Sequence, residues 1–236
     1  MSQVERAIIM AAGKGTRMKP ITNKVPKPLV KVNGKAMIEG VIEKLHEQGI
    51  QEIYVVVGYL KEQFNYLKEK YNDVHLIDNP YFDTCNNISS LYVAREHLKN
   101  VIILDGDQII NNSQILEKNF DFSGYNCIYK KEINNEWMLK IKEGLVTSRT
   151  GGKDGWQLYS VSRWNEEDGK RLKKHLEIEF EEKKNTEIYW DDVALFRYPD
   201  EYQLSIKEMH DGDILEIDSL DELCSIDPSY LNYREN

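Results

Sequence analysis

Cysteine is scarce in this 236-residue chain: Cys85, Cys127 and Cys224 lie far apart, are odd in number and lack metal-ligand spacing. That excludes a disulfide framework and a thiolate metal centre, and fits a reducing cytoplasm. The five histidines show no ligand pairing either. No apolar run approaches membrane-spanning length, and Met1 to Arg6 lacks the character of a secretion signal, so a cytoplasmic protein without membrane insertion is expected. Positive charge is also short: 31 basic residues face 40 acidic ones, a net charge of −9 that opposes non-specific attraction to nucleic acid or to an anionic membrane. Neither an internal repeat nor a low-complexity linker divides the chain. Its length suits one α/β domain, with a nucleotide-binding half over residues 1–110 and an acceptor-binding half over 111–236. The sequence does not specify an oligomeric state.

Basic charge is instead concentrated in residues 14 to 35, directly after the apolar run from Ala7 to Ala12, which has the character of a strand buried on both faces. Ala11, Ala12, Gly13, Lys14, Gly15 and Thr16 then form a small-residue loop at that strand's carboxyl end, where backbone N–H groups can approach an anion closely. Lys14, Arg17 and Lys27 follow within reach. Arg17 can fork two phosphate oxygens, and Pro26 and Pro28 stiffen the backbone around Lys27, as suits a charge that must meet a transition state in a set position. A solvated basic surface loop accounts for Lys19, Lys24, Lys31 and Lys35 but not for this order of residues. Lys14 is followed by Gly15, which rules out a Walker-type loop, and Met18 and Pro20 rule out the dinucleotide fingerprint.

The periodicity beyond the loop predicts a doubly wound, mixed but mostly parallel sheet. Met37, Ile38, Val41, Ile42 and Leu45 repeat at helical spacing, and Ile53 to Val57 read as a strand. A helix is expected over 60–71 and another over 88–98, with strands at Leu76-Ile77 and at 101–104. Past residue 110, strand-like pieces at 125–131, 137–147 and 156–163 precede a charged helix over 166–184. Gly13, Gly58 and Asp105-Gly106-Asp107 then fall at strand carboxyl ends, where ligands gather in such sheets.

From Ala11 to Gly34 the chain resembles the sugar-phosphate nucleotidylyltransferase superfamily, whose signature is Gly-x-Gly-Thr-Arg, Pro-x-Thr and Pro-Lys-Pro-Leu. Val57 to Phe64, Asn86-Asn87 with Ser89 to Tyr92, Asn135-Glu136-Trp137 and Tyr189-Trp190-Asp191 are similar to the bacterial CTP:phosphocholine cytidylyltransferases. The resemblance implies a Rossmann-like nucleotidyltransferase that transfers CMP from CTP to phosphocholine with Mg²⁺. The metal would be held by Asp107 and Asp218, with Asp105 structural. Asp218 and Ser219 could equally cap the following helix.

Attack by an acceptor phosphate oxygen on the α-phosphorus needs no enzyme nucleophile, so Lys27, Arg17 and the metal would act electrostatically. Asn87 and Ser89 fall where the superfamily reads the base, but both residue types also suit a helix N-cap. Trp137, Tyr189 and Trp190, beside Asp191 and with Glu216 adding charge, suit a quaternary ammonium group; core packing is the alternative for each aromatic, and Trp156 and Trp164 are assigned to packing. Two other readings remain: another acceptor, such as an aminoalkylphosphonate or a sugar 1-phosphate, and a nucleotide-binding regulatory module without turnover.

Overall fold

The computed structural model describes residues 1–131, 137–151 and 154–233. Its first half winds helices around four parallel strands. β1 (Arg6–Ala11) pairs with β2 (Ile53–Val57) on one side and β4 (Val101–Asp105) on the other, and β3 (Val74–Asp78) adds to β2. Alternation along β1 explains the layering. Ala7, Ile9 and Ala11 pack under α1 (Met37–Glu47) with Ile38, Val41, Ile42 and Leu45. Ile8, Met10 and Ala12 face the other way, towards Leu91 of α3 (Ile88–Val93) and Leu172 and Leu176 of α4 (Glu166–Glu177). A strand covered on both faces must be apolar at every position, which is why its sequence is unbroken.

The expected helix over 60–71 is interrupted: a tight turn over Lys61–Phe64 leads into the short α2 (Tyr66–Lys70). The helix over 88–98 likewise ends at Val93 and finishes as a tight turn over Arg95–His97. The charged helix keeps α-geometry to Glu177 and then widens into one π-helical turn, Ile178–Glu182.

The second half is antiparallel for the most part. β5 (Gln108–Ile110) is followed by β6 (Gly124–Lys130), β7 (Trp137–Lys142), β8 (Leu145–Gly151), β9 (Gly155–Trp164), β10 (Ser205–Glu208) and β11 (Ile214–Glu216). The piece expected as one strand over 137–147 is a hairpin, because Glu143 and Gly144 both take positive φ (53° and 81°) and reverse the chain. The large sheet runs β6-β10-β8-β7-β9-β4-β1-β2-β3, and β6 also pairs with β9, closing a five-stranded ring beside the open parallel sheet. β9 belongs to both parts, since Val161 to Trp164 pair antiparallel with β4. α5 (Leu220–Ile226) closes the described chain, apart from a final tight turn. Among the described residues no helix is long and apolar enough to cross a membrane, and all three cysteines are free.

Candidate active site

The glycine loop leaves β1 at Ala11 and turns at Gly15, whose φ is +59°. A Cβ there would sit 2.8 Å from Lys27 Cβ, so glycine is required both by the backbone conformation and by the close approach of the Lys27 segment. Gly13 does not take positive φ, and a Cβ on it would meet nothing within 4 Å, so its small size leaves open volume. Lys27 heads a single tight turn, Lys27–Leu29, between Pro26 and Pro28, and its side chain is 11% exposed.

Two carboxylates converge on that lysine. Its Nζ lies 2.6 Å from Asp107 Oδ2 and 2.8 Å from Asp218 Oδ1, and Arg17 Nη1 reaches Asp218 Oδ2 at 3.1 Å. Burial alone would lower the lysine pKa; the two acids outweigh it and hold the proton more firmly than in water. Burial alone would raise Asp218, yet Lys27 and Arg17 hold its carboxyl below the usual range. Asp218 does not cap α5. Ser219 does, in a capping box with Glu222, so the Asp218 side chain is left for the site. Asp105 and Glu216 differ from this pair. Burial and the charge of Asp107 push Asp105 well up, against a hydrogen bond with Ser160. Burial also raises Glu216, against its hydrogen bond from Gln108 Nε2 at 3.1 Å.

Three adjoining cavities lie here, two of them against this centre. One of about 230 Å³ is bounded by Ala12, Gly13, Asn79 and the 82–90 segment. A second, of about 460 Å³, lies against Ala11, Gly13, Gly15 and Thr16. The third, of about 440 Å³, is enclosed by Tyr189, Asp191, Asp192, Phe196 and Glu216 with Gln157 and Ser160 of β9. The second and third share Arg17, Lys27, Asp107 and Asp218. A fixed ammonium, a guanidinium and two carboxylates therefore stand where two of these cavities meet.

The model of the MobA-like NTP transferase domain matches residues 7–134. The chain belongs to this family. A 2-aminoethylphosphonate cytidylyltransferase of Lancefieldella rimae is 37% identical over 232 residues, covering 95% of this chain and 93% of that protein. A choline-phosphate cytidylyltransferase of Streptococcus pneumoniae is 35% identical over 223 residues, covering 92% and 94%. Among solved structures, the CTP:phosphocholine cytidylyltransferase from Streptococcus pneumoniae superposes with a TM-score of 0.89 at 34% identity, over 96% of this chain and 99% of that one. The protein is a nucleotidyltransferase.

In this MobA-like NTP transferase the remaining residues singled out in the sequence divide between the cavities and the core. Lys14 pairs with Asp83 rather than standing free. Neither Asn87 nor Ser89 caps α3: Asn87 Oδ1 accepts the Trp190 N–H at 2.9 Å, and the Ser89 hydroxyl, buried, donates to Asn86 O and accepts from Asn79 Nδ2. Tyr189 is exposed at the third cavity. Trp190, expected beside it, is turned away: it is 5% exposed, stacked against Tyr125 at 6.2 Å and edge-on to Trp164 at 6.1 Å. Segment 189–192 is a turn closed by the Tyr189 N–H donating to Asp192 Oδ2, so neighbouring side chains diverge and only one aromatic of the pair faces the cavity. The side chain of Trp137, with Asn135 and Glu136, lies outside the described residues.

Asp191 lines the third cavity. Burial raises its pKa to about 7, a hydrogen bond from Tyr125 opposes the shift, and the charge of Asp192 adds to it. Sequence reasoning missed Asn79, Gln157, Ser160 and Phe196. Alternation along 155–164 puts Gln157 on the same face as Tyr159 and Val161 of the core, and nothing local marks a lone polar position there as a wall of a site.

Proposed function

We propose that this enzyme transfers CMP from CTP to phosphocholine, releasing pyrophosphate and forming CDP-choline. The observation that carries the reading is the wall of Arg17, Lys27, Asp107 and Asp218 shared by two cavities, one against the glycine loop and one rich in carboxylates. A triphosphate in the first places its α-phosphorus beside Lys27. A cationic headgroup in the second meets Asp191, Asp192, Glu216 and the Tyr189 face. The acceptor's phosphate oxygen forms the new P–O bond as the bond to pyrophosphate breaks, and its negative charge at neutral pH removes the need for a strong base. Lys27 and Arg17 offset the charge that accumulates on the α-phosphate and the leaving group.

The donor set fits Mg²⁺: two carboxylates converge on one point, and the ion takes one or two such ligands and completes its shell with phosphate oxygens and water. Among the described residues no group of three or more His, Cys, Asp or Glu could hold a metal, so we assign Asp107 and Asp218 as ligands that act together with the nucleotide. When bound, Mg²⁺ would supply electrophilic activation of the phosphates. The base is assigned to the smallest cavity, beside Asn87 and Ser89. We read the chain as one domain working in the cytoplasm, a setting the three free thiols support.

A second acceptor, 2-aminoethylphosphonate, is favoured by a specific observation: with Trp190 in the core, the described part of the acceptor cavity offers more carboxylate than aromatic surface, which suits a primary ammonium that donates hydrogen bonds. Pyrophosphate release with CTP and Mg²⁺ across phosphocholine, phosphoethanolamine, 2-aminoethylphosphonate and glucose 1-phosphate decides between them. Preference for phosphocholine is the expected result. Preference for the aminophosphonate would replace the acceptor and keep the mechanism, and release with UTP at the same rate would remove the assignment of cytosine.

A further inference from the structure

The base and acceptor cavities share one lining residue among those described, Asn87. Its Oδ1 accepts the Trp190 N–H at 2.9 Å. Because an N–H can only donate, the amide orientation is fixed, and Nδ2 is left as the donor available to a ligand. One residue earlier, the Asn86 backbone N–H donates to Thr186 O at 2.8 Å and its side-chain Nδ2 donates to Glu187 O at 3.0 Å. Three hydrogen bonds therefore stitch the corner of the base cavity to the segment 186–190, about a hundred residues away in sequence.

Both ends of this connection are stiff. The loop bearing the corner is anchored at its root by Asn79, which is 1% exposed, donates its backbone N–H to Val57 O and offers its amide to the Ser89 and Ser90 hydroxyls at 3.0 Å each. Phe82 presses on Gly58 so closely that a Cβ there would come within 2.6 Å of the Phe82 Cβ. On the far side, the Trp190 ring is locked among Tyr125 and Trp164, and the Asp192 turn sets Tyr189 and Asp191 at the acceptor cavity. A shift of the corner has no slack in which to be lost; it moves the 186–192 turn.

We propose that Asn86 and Asn87 are positioning residues that couple the two substrate sites, so that nucleotide held at the base cavity orders the 186–192 turn into the geometry that receives the acceptor. This rests on the reading that residues 13–17 and 79–90 hold a nucleotide. Neither residue need touch the reacting atoms, and the coupling is reciprocal: acceptor binding steadies the base cavity by the same factor.

Hydrogen exchange on the full chain, with CTP and Mg²⁺ but no acceptor, tests this without assuming which acceptor is used. In the wild type, amides of 186–192 slow on adding CTP by about tenfold, the factor that one hydrogen bond of ordinary net strength supplies. In Asn86→Ala that slowing falls below about twofold, while amides of 13–17 remain protected and show that nucleotide is still bound. In turnover the same variant raises the acceptor KM by about tenfold and changes the CTP KM by less than about threefold, a split that general loosening of the fold would not produce. Should Asn86→Ala fail to fold, Asn86→Ser, whose shorter side chain can still accept the Asn87 N–H but does not reach Glu187 O, carries the same test. Unchanged 186–192 exchange in the wild type, or equal slowing in the variant, overturns the coupling. Absence of protection at 13–17 in the wild type overturns the nucleotide site itself, and the coupling with it.

Discussion

Replacing Lys27 by alanine gives three linked readouts. Its Nζ stands 2.6 Å from Asp107 and 2.8 Å from Asp218, and those side chains are 26% and 40% exposed. Removing one partner of a fully buried ion pair costs about 3–5 kcal/mol, whereas surface pairs are worth about 0–1 kcal/mol. The partial exposure of the two acids puts Lys27→Ala between these limits, at about 1–3 kcal/mol. For a chain of this size each kcal/mol lowers Tm by about 2–4 °C, so a fall of about 2–12 °C is expected in differential scanning calorimetry without ligands. With substrates the loss is larger: a preorganised donor at the developing charge contributes about 10²–10³ in kcat, so pyrophosphate release should fall by that factor while the CTP KM moves less than about fivefold. The third readout separates charge from packing. Without the ammonium between them, Asp107 and the Asp218 oxygen not paired with Arg17 can take a divalent cation, so adding Mg²⁺ should raise the Tm of the variant and leave the nucleotide-free wild type unchanged. Turnover within about tenfold of wild type would refute the electrostatic role of Lys27, and a Tm insensitive to Mg²⁺ would refute the idea that it holds a metal site closed.

Asp191 carries its charge only above about pH 7, so the acceptor KM should fall as pH rises through that value; Asp191→Asn should remove this step, and a profile identical to wild type would show that Asp191 does not meet the cation. The stability sign is opposite: with a folded pKa raised above the model-peptide value of about 3.9, Asp191 contributes stability fully at low pH and loses it as pH rises through about 7, so the variant-minus-wild-type difference in urea midpoint should grow in the variant's favour across that window. The two neighbouring aromatics should also separate. Trp190→Ala empties a core site and costs about 3–5 kcal/mol, read as a lower urea midpoint, whereas Tyr189→Ala keeps the midpoint and raises the acceptor KM about threefold. A Trp190→Ala protein of wild-type stability with a selective acceptor defect would contradict its placement in the core.

Much of the first half of the chain is legible because its signals are local. A buried strand, small residues at its end and a proline-flanked lysine each act over a few residues, and Gly15 and Lys27 prove to be in direct contact. The second half is less legible for definite reasons. Asp218 could cap a helix or serve the site, and the choice turns on whether Ser219 and Glu222 form their own capping box. Tyr189 and Trp190 are adjacent aromatics of similar character, and which faces the cavity depends on a turn made by Asp192 and on a tryptophan slot lined by Tyr125 and Trp164, both distant in sequence. The break at Glu143-Gly144 needs positive φ at a glutamate, which composition does not announce. Asn87 reads as a cap by residue type, but its backbone is already helical at φ −66°, leaving its oxygen for Trp190.

The pairing of β6 with both β9 and β10 has a consequence for how the molecule meets others of its kind. A nine-stranded sheet with two open ends would present two rows of unpaired amides and carbonyls on which a foreign strand could polymerise. Closing five strands on themselves removes one of those rows. The remaining one, Val74–Asp78, is only five residues long, carries exposed His75 and Asp78, and runs into Pro80, which has no N–H to offer. During expression and storage the large sheet is therefore guarded against strand-by-strand aggregation at both ends, by closure at one and by brevity, polarity and proline at the other.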